Sequence, residues 1–132
     1  MSDRQNKFRG KILNGERKGE WVYGYYYEVT KGMMRGHYIL NSDNTEVEVD
    51  PKTVGQYTGL HDKSNNEIYK DDMLTDKLGR GKVTWMAPSF VVVDFDGKLW
   101  NLGGGDVYPE DSTLKETEVI GNTHDNPDLL TQ

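Results

Sequence analysis

A strict alternation of large side chains in residues 21–29 constrains the fold more than any other feature of the sequence. Large residues occupy every second position: Trp21, Tyr23, Tyr25, Tyr27 and Val29. Because successive side chains of a strand point to opposite faces, this period of two predicts a β-strand. Alternating aromatic residues on a strand are ordinarily core residues, so we expect this row to be hidden in the core or in a contact between subunits.

Short patterns typical of strands recur along the rest of the chain. They cover residues 7–12, 37–40, 45–49, 54–60, 67–69, 72–74, 82–85, 90–95, 98–100 and 117–120. No amphipathic pattern of helical period continues long enough to predict a major helix. We therefore predict a mainly β fold: a single compact β-rich domain of short antiparallel strands with minimal helix.

Polar and glycine-containing breaks separate the predicted strands. Residues 62–66 predict a tight turn, and Asp96-Gly97 predicts a two-residue hairpin turn. Asp50-Pro51 fits a helix start, with Asp as the cap and Pro at the first helical position, so we expect a short helical corner there. Residues 126–130 predict a final helical turn.

Two segments of the C-terminal half carry the residues that we expect in the core. Val83 and Trp85 share one face of their strand, and residues 90–95 are apolar on both faces at their centre, which is typical of an interior strand. We expect Trp85 and Val92 to be buried, so that Trp85→Ala or Val92→Asp would each destabilise the fold by roughly 3 kcal/mol or more.

Residues 54–74 carry a pattern that resembles the signature of a protein family. The pattern is Gln56-Tyr57-Thr58-Gly59-Leu60-x-Asp62-Lys63, followed by Glu67-Ile68-Tyr69 and Asp72-Met73-Leu74. It is similar to the signature of the YopX family of small phage and prophage proteins. Further matching segments are Lys7-Phe8-Arg9-Gly10, Trp21-Val22-Tyr23-Gly24-Tyr25, Val49-Asp50-Pro51, Gly81-Lys82-Val83-x-Trp85, Glu118-Val119-Ile120-Gly121-Asn122 and Asn126-Pro127-x-Leu129-Leu130.

The resemblance covers nearly the whole chain, with two departures. Asn65 and Asp71 stand where the family usually has glycine, and both residue types tolerate a left-handed backbone better than most, so we expect the two turns to be preserved. The resemblance implies a compact, mainly β, often self-associating phage-encoded protein and no established activity.

The same resemblance implies one YopX-like domain over residues 1–132. We expect an N-terminal β subdomain at about residues 1–53 and a central and C-terminal part at about residues 54–132. The order of short strands in residues 67–102 looks like a small SH3-like barrel, a likeness of fold that implies no function.

Composition narrows the cellular setting and the partners. The net charge is -6, but residues 1–20 hold six Lys or Arg against three Asp or Glu, so only the start of the chain is basic. The chain has no cysteine, which excludes disulfides and thiol catalysis. No window approaches the roughly 18 consecutive apolar residues of a membrane span, so we expect no membrane contact. With the phage resemblance, we expect a cytoplasmic protein of a bacterial host.

No arrangement of residues predicts a catalytic, cofactor-binding or metal site. His37, His61 and His124 lie far apart, and none has a second histidine or a pair of carboxylates at metal-ligand spacing. Asp94-x-Asp96-Gly97 begins like a calcium loop, but the later ligand positions are apolar. We expect no metal ion, no cofactor and no enzymatic activity.

Motifs rich in glycine or carboxylates have structural explanations. Gly81-Lys82 lacks both the preceding glycine and the following hydroxyl of a phosphate loop, and Gly103-Gly104-Gly105 lacks the spacing of a dinucleotide loop. Asp71 and Asp72 would point to opposite faces of a strand, so they do not predict an acid-base pair. We expect Asp72 to form local hydrogen bonds at the turn that leads into its strand.

Two binding functions remain compatible with the sequence. The favoured one is a non-enzymatic binding or self-assembling β module that forms homo-oligomers and binds an unidentified host or phage protein. The alternative is a nucleic-acid-binding accessory factor, because the aromatic strand 21–27 stands beside Arg9, Arg17 and Lys18. Aromatic rings next to cations bind single strands by stacking and phosphate contact.

Overall fold

The computed structural model describes residues 7–76, 79–87, 89–94, 98–103, 114 and 116–130. The described chain consists mainly of antiparallel β-strands, which confirms the predicted fold class. It divides into two compact units, Met1–Gln56 and Tyr57–Gln132. Within the described ranges, no helix has the length and apolar character needed to cross a bilayer.

From residue 7 onward, where the structure describes the chain, four strands build the first unit, and their pairing closes into a ring. They are β1 (Phe8–Ile12), β2 (Trp21–Val29), β3 (Gly36–Leu40) and β4 (Glu46–His61), the last of which continues into the second unit. β1 pairs with β2, β2 with β3, β3 with β4, and β4 pairs again with β1. The residues that fill the interior are Ile12, Val22, Ile39 and Val49, with Tyr26, Val47 and Val54 packed against them.

The aromatic row of β2 lies on the outer face of this ring, so the expectation that the row packs in the core is wrong. Tyr23 and Tyr25 are 43% and 50% exposed. The alternate face, with Val22, faces inward instead. The interior is too narrow for a row of large rings, since a Cβ added to Gly10 would already lie 3.2 Å from the Cβ of Val49.

The predicted helical corner at Asp50-Pro51 is also wrong, because these residues belong to β4. The chain pairs with β1 on both sides of the proline, Asp50 opposite Lys11 and Gly55 opposite Arg9, and the register shifts between the two pairs. Pro51 has no N–H to donate to the ladder, and near this register shift the N–H of Lys11 finds its acceptor in the Thr53 hydroxyl, at 2.8 Å. Pairing with β1 therefore outweighs the local helix-start signal.

In the described part of the second unit, the chain forms six further strands and one short helix. They are β5 (Glu67–Tyr69), β6 (Asp72–Asp76), β7 (Gly79–Met86), β8 (Ser89–Asp94), β9 (Leu99–Gly103), β10 (Glu118–Asn122) and a 3-10 helix (Pro127–Leu130). The sheet has the order β10-β6-β7-β8-β9, and β5 pairs with the end of β4. This order is compatible with an SH3-like barrel, and the 3-10 helix confirms the predicted final turn.

The core of the second unit confirms one of the two expected buried residues. Its members are Leu60, Ile68, Leu74, Val83, Phe90, Val92 and Leu102. Val92 is fully buried, as expected, but Trp85 is 39% exposed. The Trp85 ring contacts Phe90 edge-on, with centroids 4.9 Å apart, so only part of it is covered. The predicted Asp96-Gly97 turn and the glycines at 104 and 105 lie outside the described residues.

Both departures from the family's glycines adopt the left-handed backbone that the sequence predicts. Asn65 has a φ of 68° and Asp71 a φ of 73°. Asn65 closes the turn by donating its N–H to the carbonyl of Asp62 at 2.9 Å, and Asp71 donates to the carbonyl of Val83 at 3.0 Å. The turns are preserved because Asn and Asp accept a positive φ at modest cost.

Candidate functional site

The outer side of β2 is the surface best suited to binding, and we call Tyr23, Tyr25 and Tyr27 the tyrosine face. The strand is paired on both sides, with β1 and with β3, so these side chains stand on a fixed backbone. The core is filled from the opposite side of the strand. Exposed tyrosines that the core does not need are typical of binding surfaces, since their rings offer a large contact area at low entropic cost.

The rings of the tyrosine face continue into an ordered aromatic array. Tyr25 and Tyr27 stack with centroids 6.2 Å apart, and Tyr27 stacks on Tyr38 of β3 at 5.6 Å. The Tyr38 hydroxyl donates to the carbonyl of Met34 at 2.6 Å, which fixes the end of the array. The surface is therefore preorganised, and little side-chain freedom remains to be lost when a partner binds.

Two cations of β1 lie beside the tyrosine face, against the Trp21 ring. The guanidinium carbon of Arg9 is 4.4 Å from the ring centroid, and Nζ of Lys11 is 5.4 Å away. The pairing of the strands places them there, with Arg9 opposite Tyr23 and Lys11 opposite Trp21. These contacts are cation–π interactions. The predicted proximity of Arg9 to the aromatic strand is confirmed.

Carboxylates border the other side of the tyrosine face. Burial, and next the hydrogen bond to the Glu46 carboxylate, raise the pKa of Tyr27 above its usual value, so the phenol stays protonated. In the β3–β4 pairing, Glu46 lies opposite Leu40 and Glu48 opposite Tyr38. The face thus has cations on one side and carboxylates on the other, a mixture that suits a protein surface better than a polyanion.

Of the two other cations named by the sequence, Arg17 lines a surface cavity together with Trp21 and Tyr23, and Lys18 is not among the residues of that cavity. The Nε of Arg17 donates to the Glu20 carboxylate at 3.1 Å, in an exposed ion pair. Lys18 belongs to the turn before β2, where its N–H donates to the carbonyl of Gly15. Arg9 and Lys11 thus lie against the Trp21 ring, and Arg17 lies near Trp21 and Tyr23 while it is paired with Glu20.

A surface cavity of about 260 Å³ opens at the end of the first unit where β2 begins, and we call it the barrel-end cavity. The core residues Ile12, Val22 and Val47 contribute to its lining, together with Trp21 and Tyr23. Arg17 and residues 41–43 line it as well. The cavity therefore has a mixed lining of apolar, aromatic and polar side chains.

The second unit contains a buried carboxylate whose importance the sequence does not reveal. Asp62 is fully buried, and its two oxygens accept four N–H groups, from the backbones of Ser64, Asn66 and Val119 and from the Asn66 side chain, at 2.8–3.1 Å. The sequence shows Asp62 only as the start of a turn. The bond to Val119, 57 residues away, depends on tertiary structure.

Hydrogen bonds keep the Asp62 carboxylate charged. Burial raises the pKa of Asp62, but the hydrogen bonds from Val119, Asn66 and Ser64 lower it by more, so the pKa lies below its usual value. A carboxylate that accepts four donors and does not reach the surface stabilises the loop and has no access to a substrate. We assign Asp62 a structural role.

Each histidine ring lies within hydrogen-bonding distance of a neighbouring side chain. The Tyr26 hydroxyl lies 2.7 Å from Nδ1 of His37, the Tyr57 hydroxyl lies 3.2 Å from Nε2 of His61, and Nε2 of His124 lies 3.1 Å from Asp71. The described residues bring no three His, Cys, Asp or Glu side chains together in a group that could hold a metal ion. These histidines therefore mark no common centre.

Asp71 and Asp72 have separate partners, as their positions in the sequence predict. Asp71 contacts His124, whereas Oδ2 of Asp72 accepts the N–H of Tyr69 at 2.8 Å. The expected local hydrogen bond of Asp72 at the turn into β6 is confirmed. The two carboxylates serve different turns and form no acid-base pair.

A family model described as YopX protein matches residues 7–131 of the chain. A search among curated proteins found no match.

Proposed function

Because the chain belongs to the YopX family, we propose that it is a phage- or prophage-encoded accessory protein that acts in the bacterial cytoplasm by binding and not by catalysis. The tyrosine face is its contact surface for a host or phage protein, and the protein also self-associates. The proposed phage origin rests on the nature of this family. The proposed binding role rests on the surface of the first unit.

The observation that carries the binding role is the exposure of Tyr23 and Tyr25, at 43% and 50%, on a strand paired on both sides. Neither ring belongs to the core cluster of the first unit. Tyrosine is enriched at the energetic centres of protein interfaces, where it buries a large apolar ring and keeps a hydroxyl for hydrogen bonds. Charges of both signs beside the rings support a protein as the partner.

Replacement of Tyr25 with alanine tests the tyrosine face. Partner proteins are captured from infected host lysate on wild-type protein, and the affinity of the captured partner is then measured with purified proteins. Tyr25→Ala should weaken binding by roughly tenfold or more, because it removes a central ring of the contact. Leu99→Ala is the matched control, since Leu99 is also 50% exposed but lies in the second unit. Equal affinities of wild type and Tyr25→Ala would reject the tyrosine face as the binding surface.

Single-stranded nucleic acid is a second candidate partner, supported by the cations beside Trp21. Nζ of Lys11 lies 5.4 Å from that ring, next to open tyrosines on which bases can stack, whereas Arg9 is buried against the ring with 6% exposure. If a single strand binds here, affinity should fall steeply as salt rises, since phosphate contacts release counterions. Fluorescence anisotropy with a labelled oligonucleotide measures this directly.

Two variants and one control sharpen the nucleic-acid test. Lys11→Ala should lower the slope of affinity against salt, and Tyr25→Ala should weaken binding at all salt concentrations. Lys98→Ala should leave both unchanged, because Lys98 is an exposed cation of the second unit. No measurable binding at low salt would exclude this candidate.

A further inference from the structure

The loop between β1 and β2 contains an asparagine that is followed directly by a glycine, Asn14-Gly15. Both residues are exposed, and a Cβ added to Gly15 would meet no atom within 4 Å. In the part of the chain that the structure describes, no group accepts the N–H of Gly15. Two other bonds hold the loop: the N–H of Lys18 donates to the carbonyl of Gly15 at 3.3 Å, and the N–H of Gly19 to the carbonyl of Ile12 at 2.9 Å. The backbone nitrogen of Gly15 is therefore accessible to the side chain that precedes it.

An asparagine side chain can react with the backbone nitrogen of the next residue. Here the nitrogen of Gly15 attacks Cγ of Asn14 and forms a succinimide ring, while the bond from Cγ to Nδ2 breaks and Nδ2 leaves as ammonia with the proton of the Gly15 amide. Water then opens the ring, either at Cγ, which gives aspartate, or at the backbone carbonyl carbon, which gives isoaspartate. The sum is the hydrolysis of one side-chain amide, so water is the only co-reactant. Glycine favours the attack because it has no Cβ to obstruct it and its backbone is the most mobile.

No other asparagine in the sequence is followed by glycine. Asn41, in the loop between β3 and β4, is a useful comparison. Its side-chain oxygen accepts the N–H groups of Asp43 and Thr45 at 2.9 and 3.0 Å, which fixes the side chain, and the residue after it is Ser42, which has a Cβ. The reaction should therefore be much faster at Asn14 than at Asn41.

Asn14 lies at one end of the pairing between β1 and β4 that closes the ring of strands, which we call the β1–β4 seam. Ile12 pairs with Val49, and the next residue, Leu13, donates its N–H to the carbonyl of Glu48 at 3.0 Å. The side chain of Asn14 continues this row of contacts, because its Nδ2 donates to Oε1 of Glu48 at 3.2 Å. The amide of Asn14 thus supplies the donor for a charge-assisted hydrogen bond at the end of the seam.

Loss of this amide turns the attraction into a repulsion. An aspartate or isoaspartate at position 14 is a carboxylate with no hydrogen to donate, so two negative charges would face each other where Asn14 and Glu48 now share a hydrogen bond. Isoaspartate also adds one carbon to the backbone of the loop, which disturbs the bond from Gly19 to Ile12. The neighbouring bond from Leu13 to Glu48 should then open more often.

We propose that Asn14 is a site of spontaneous deamidation, and that its conversion to aspartate or isoaspartate opens the end of the β1–β4 seam. The reaction uses atoms of the chain itself and water, so it proceeds without an enzyme as the molecule ages. The inference goes beyond the proposed function and does not depend on which partner the tyrosine face binds.

Ageing of the wild-type protein tests the chemical step. The full chain is incubated at physiological temperature and pH, and peptides are mapped by mass spectrometry over time. The peptide that contains Asn14 should gain the mass difference between NH₂ and OH at least roughly tenfold faster than the peptide that contains Asn41. Asn14→Gln is the matched control, since it keeps an amide but requires a larger ring, and its peptide should stay unchanged. Equal rates at Asn14 and Asn41 would overturn the proposed site.

Hydrogen exchange measured by NMR tests the structural step. The N–H of Leu13 should exchange at least roughly fivefold faster in Asn14→Asp than in wild type. The deamidated fraction of the aged protein, separated by ion exchange, should show the same increase without any substitution. Combining Asn14→Asp with Glu48→Gln should restore slow exchange, because the new amide can donate to the new carboxylate. Exchange at Leu13 that stays at the wild-type rate, or that the second substitution does not slow again, would show that conversion of Asn14 leaves the seam closed or opens it by another route, and either result contradicts the proposal.

Discussion

Replacing Val92 with aspartate is expected to lower the free energy of unfolding by at least about 3 kcal/mol, since it buries an unpaired charge. Val92 has no exposed surface and packs in the core of the second unit with Val83, Phe90 and Leu102. β8 lies between β7 and β9, so the backbone cannot easily move to bring the carboxylate to water. The second unit should lose its cooperative unfolding transition or fail to fold.

Urea unfolding followed by circular dichroism measures this loss, and the neighbouring residue provides the control. Val91 is only half-buried and points to the opposite face of β8, where it lies opposite Thr84. Val91→Asp should therefore cost about 1 kcal/mol or less, since the carboxylate keeps access to water. If the two variants unfold at the same urea concentration, the assignment of the inner face of β8 is wrong.

Replacing Asp62 with alanine is expected to cost about 3 kcal/mol, because four N–H donors lose their acceptor inside the protein. Asp62→Asn should cost nearly as much, since one carboxylate oxygen becomes an NH₂ group that faces other donors. The matched control is Asp50→Ala, because the hydrogen bond that Asp50 accepts from Lys52 lies in an exposed part of β4. That change should cost less than about 1 kcal/mol. An Asp62→Ala midpoint equal to that of wild type would show that water replaces the lost acceptor.

The contribution of Asp62 to the free energy of unfolding should also depend on pH. The lowered pKa of Asp62 determines the pH range in which that contribution is lost. The folded-state pKa lies below the usual value of 3.8, so the stabilising contribution of the carboxylate is complete above that value. It is lost as the pH falls through the folded-state pKa, when the folded protein also takes up the proton. The difference in urea midpoint between wild type and Asp62→Asn should therefore be larger at pH 7 than at pH 3. A difference that stays constant over this range would mean that the charge contributes nothing.

The sequence predicts the fold class and the special turn residues because both depend on local chemistry. Alternation in residues 21–29 correctly places a strand, and it is confirmed as β2. Asn65 and Asp71 were expected to adopt a left-handed backbone, and both do. Asp72 forms the local hydrogen bond expected of it. In each case the evidence lies within a few residues of the position concerned.

The sequence does not show which face of β2 points inward, because both faces carry large apolar residues. A period of two separates Trp21 and Tyr23 from Val22 and Tyr26 but does not choose between the two faces. Ring closure determines which face points inward, because the closed ring has a narrow interior in which a Cβ added to Gly10 would lie very close to its neighbours. The feature of the sequence that could have identified the inner face is the glycine at position 24, which lies on the same face as Val22. That face is the one with the smaller total volume.

The candidate site was only partly predictable for the same reason. Arg9 and Arg17 both lie beside the aromatic strand, as the sequence suggests, whereas Lys18 belongs to the turn before it. The barrel-end cavity depends on the position of residues 41–43 beside the start of β2. No motif in the sequence brings these residues together.

The ring of strands in the first unit has a consequence for the order in which the chain acquires its structure. Phe8–Ile12 needs β4, about 40 residues downstream, to complete its hydrogen bonds, because Phe8 pairs with Gln56 and Ile12 with Val49. During synthesis, the nascent chain can form the hairpins between β1, β2 and β3 as soon as they leave the ribosome, but one side of β1 stays open until residues 49–56 emerge. Closure of so distant a pair is slow compared with hairpin formation. A pause in translation just before those residues would therefore prolong the interval in which the first strand can pair with a neighbouring chain.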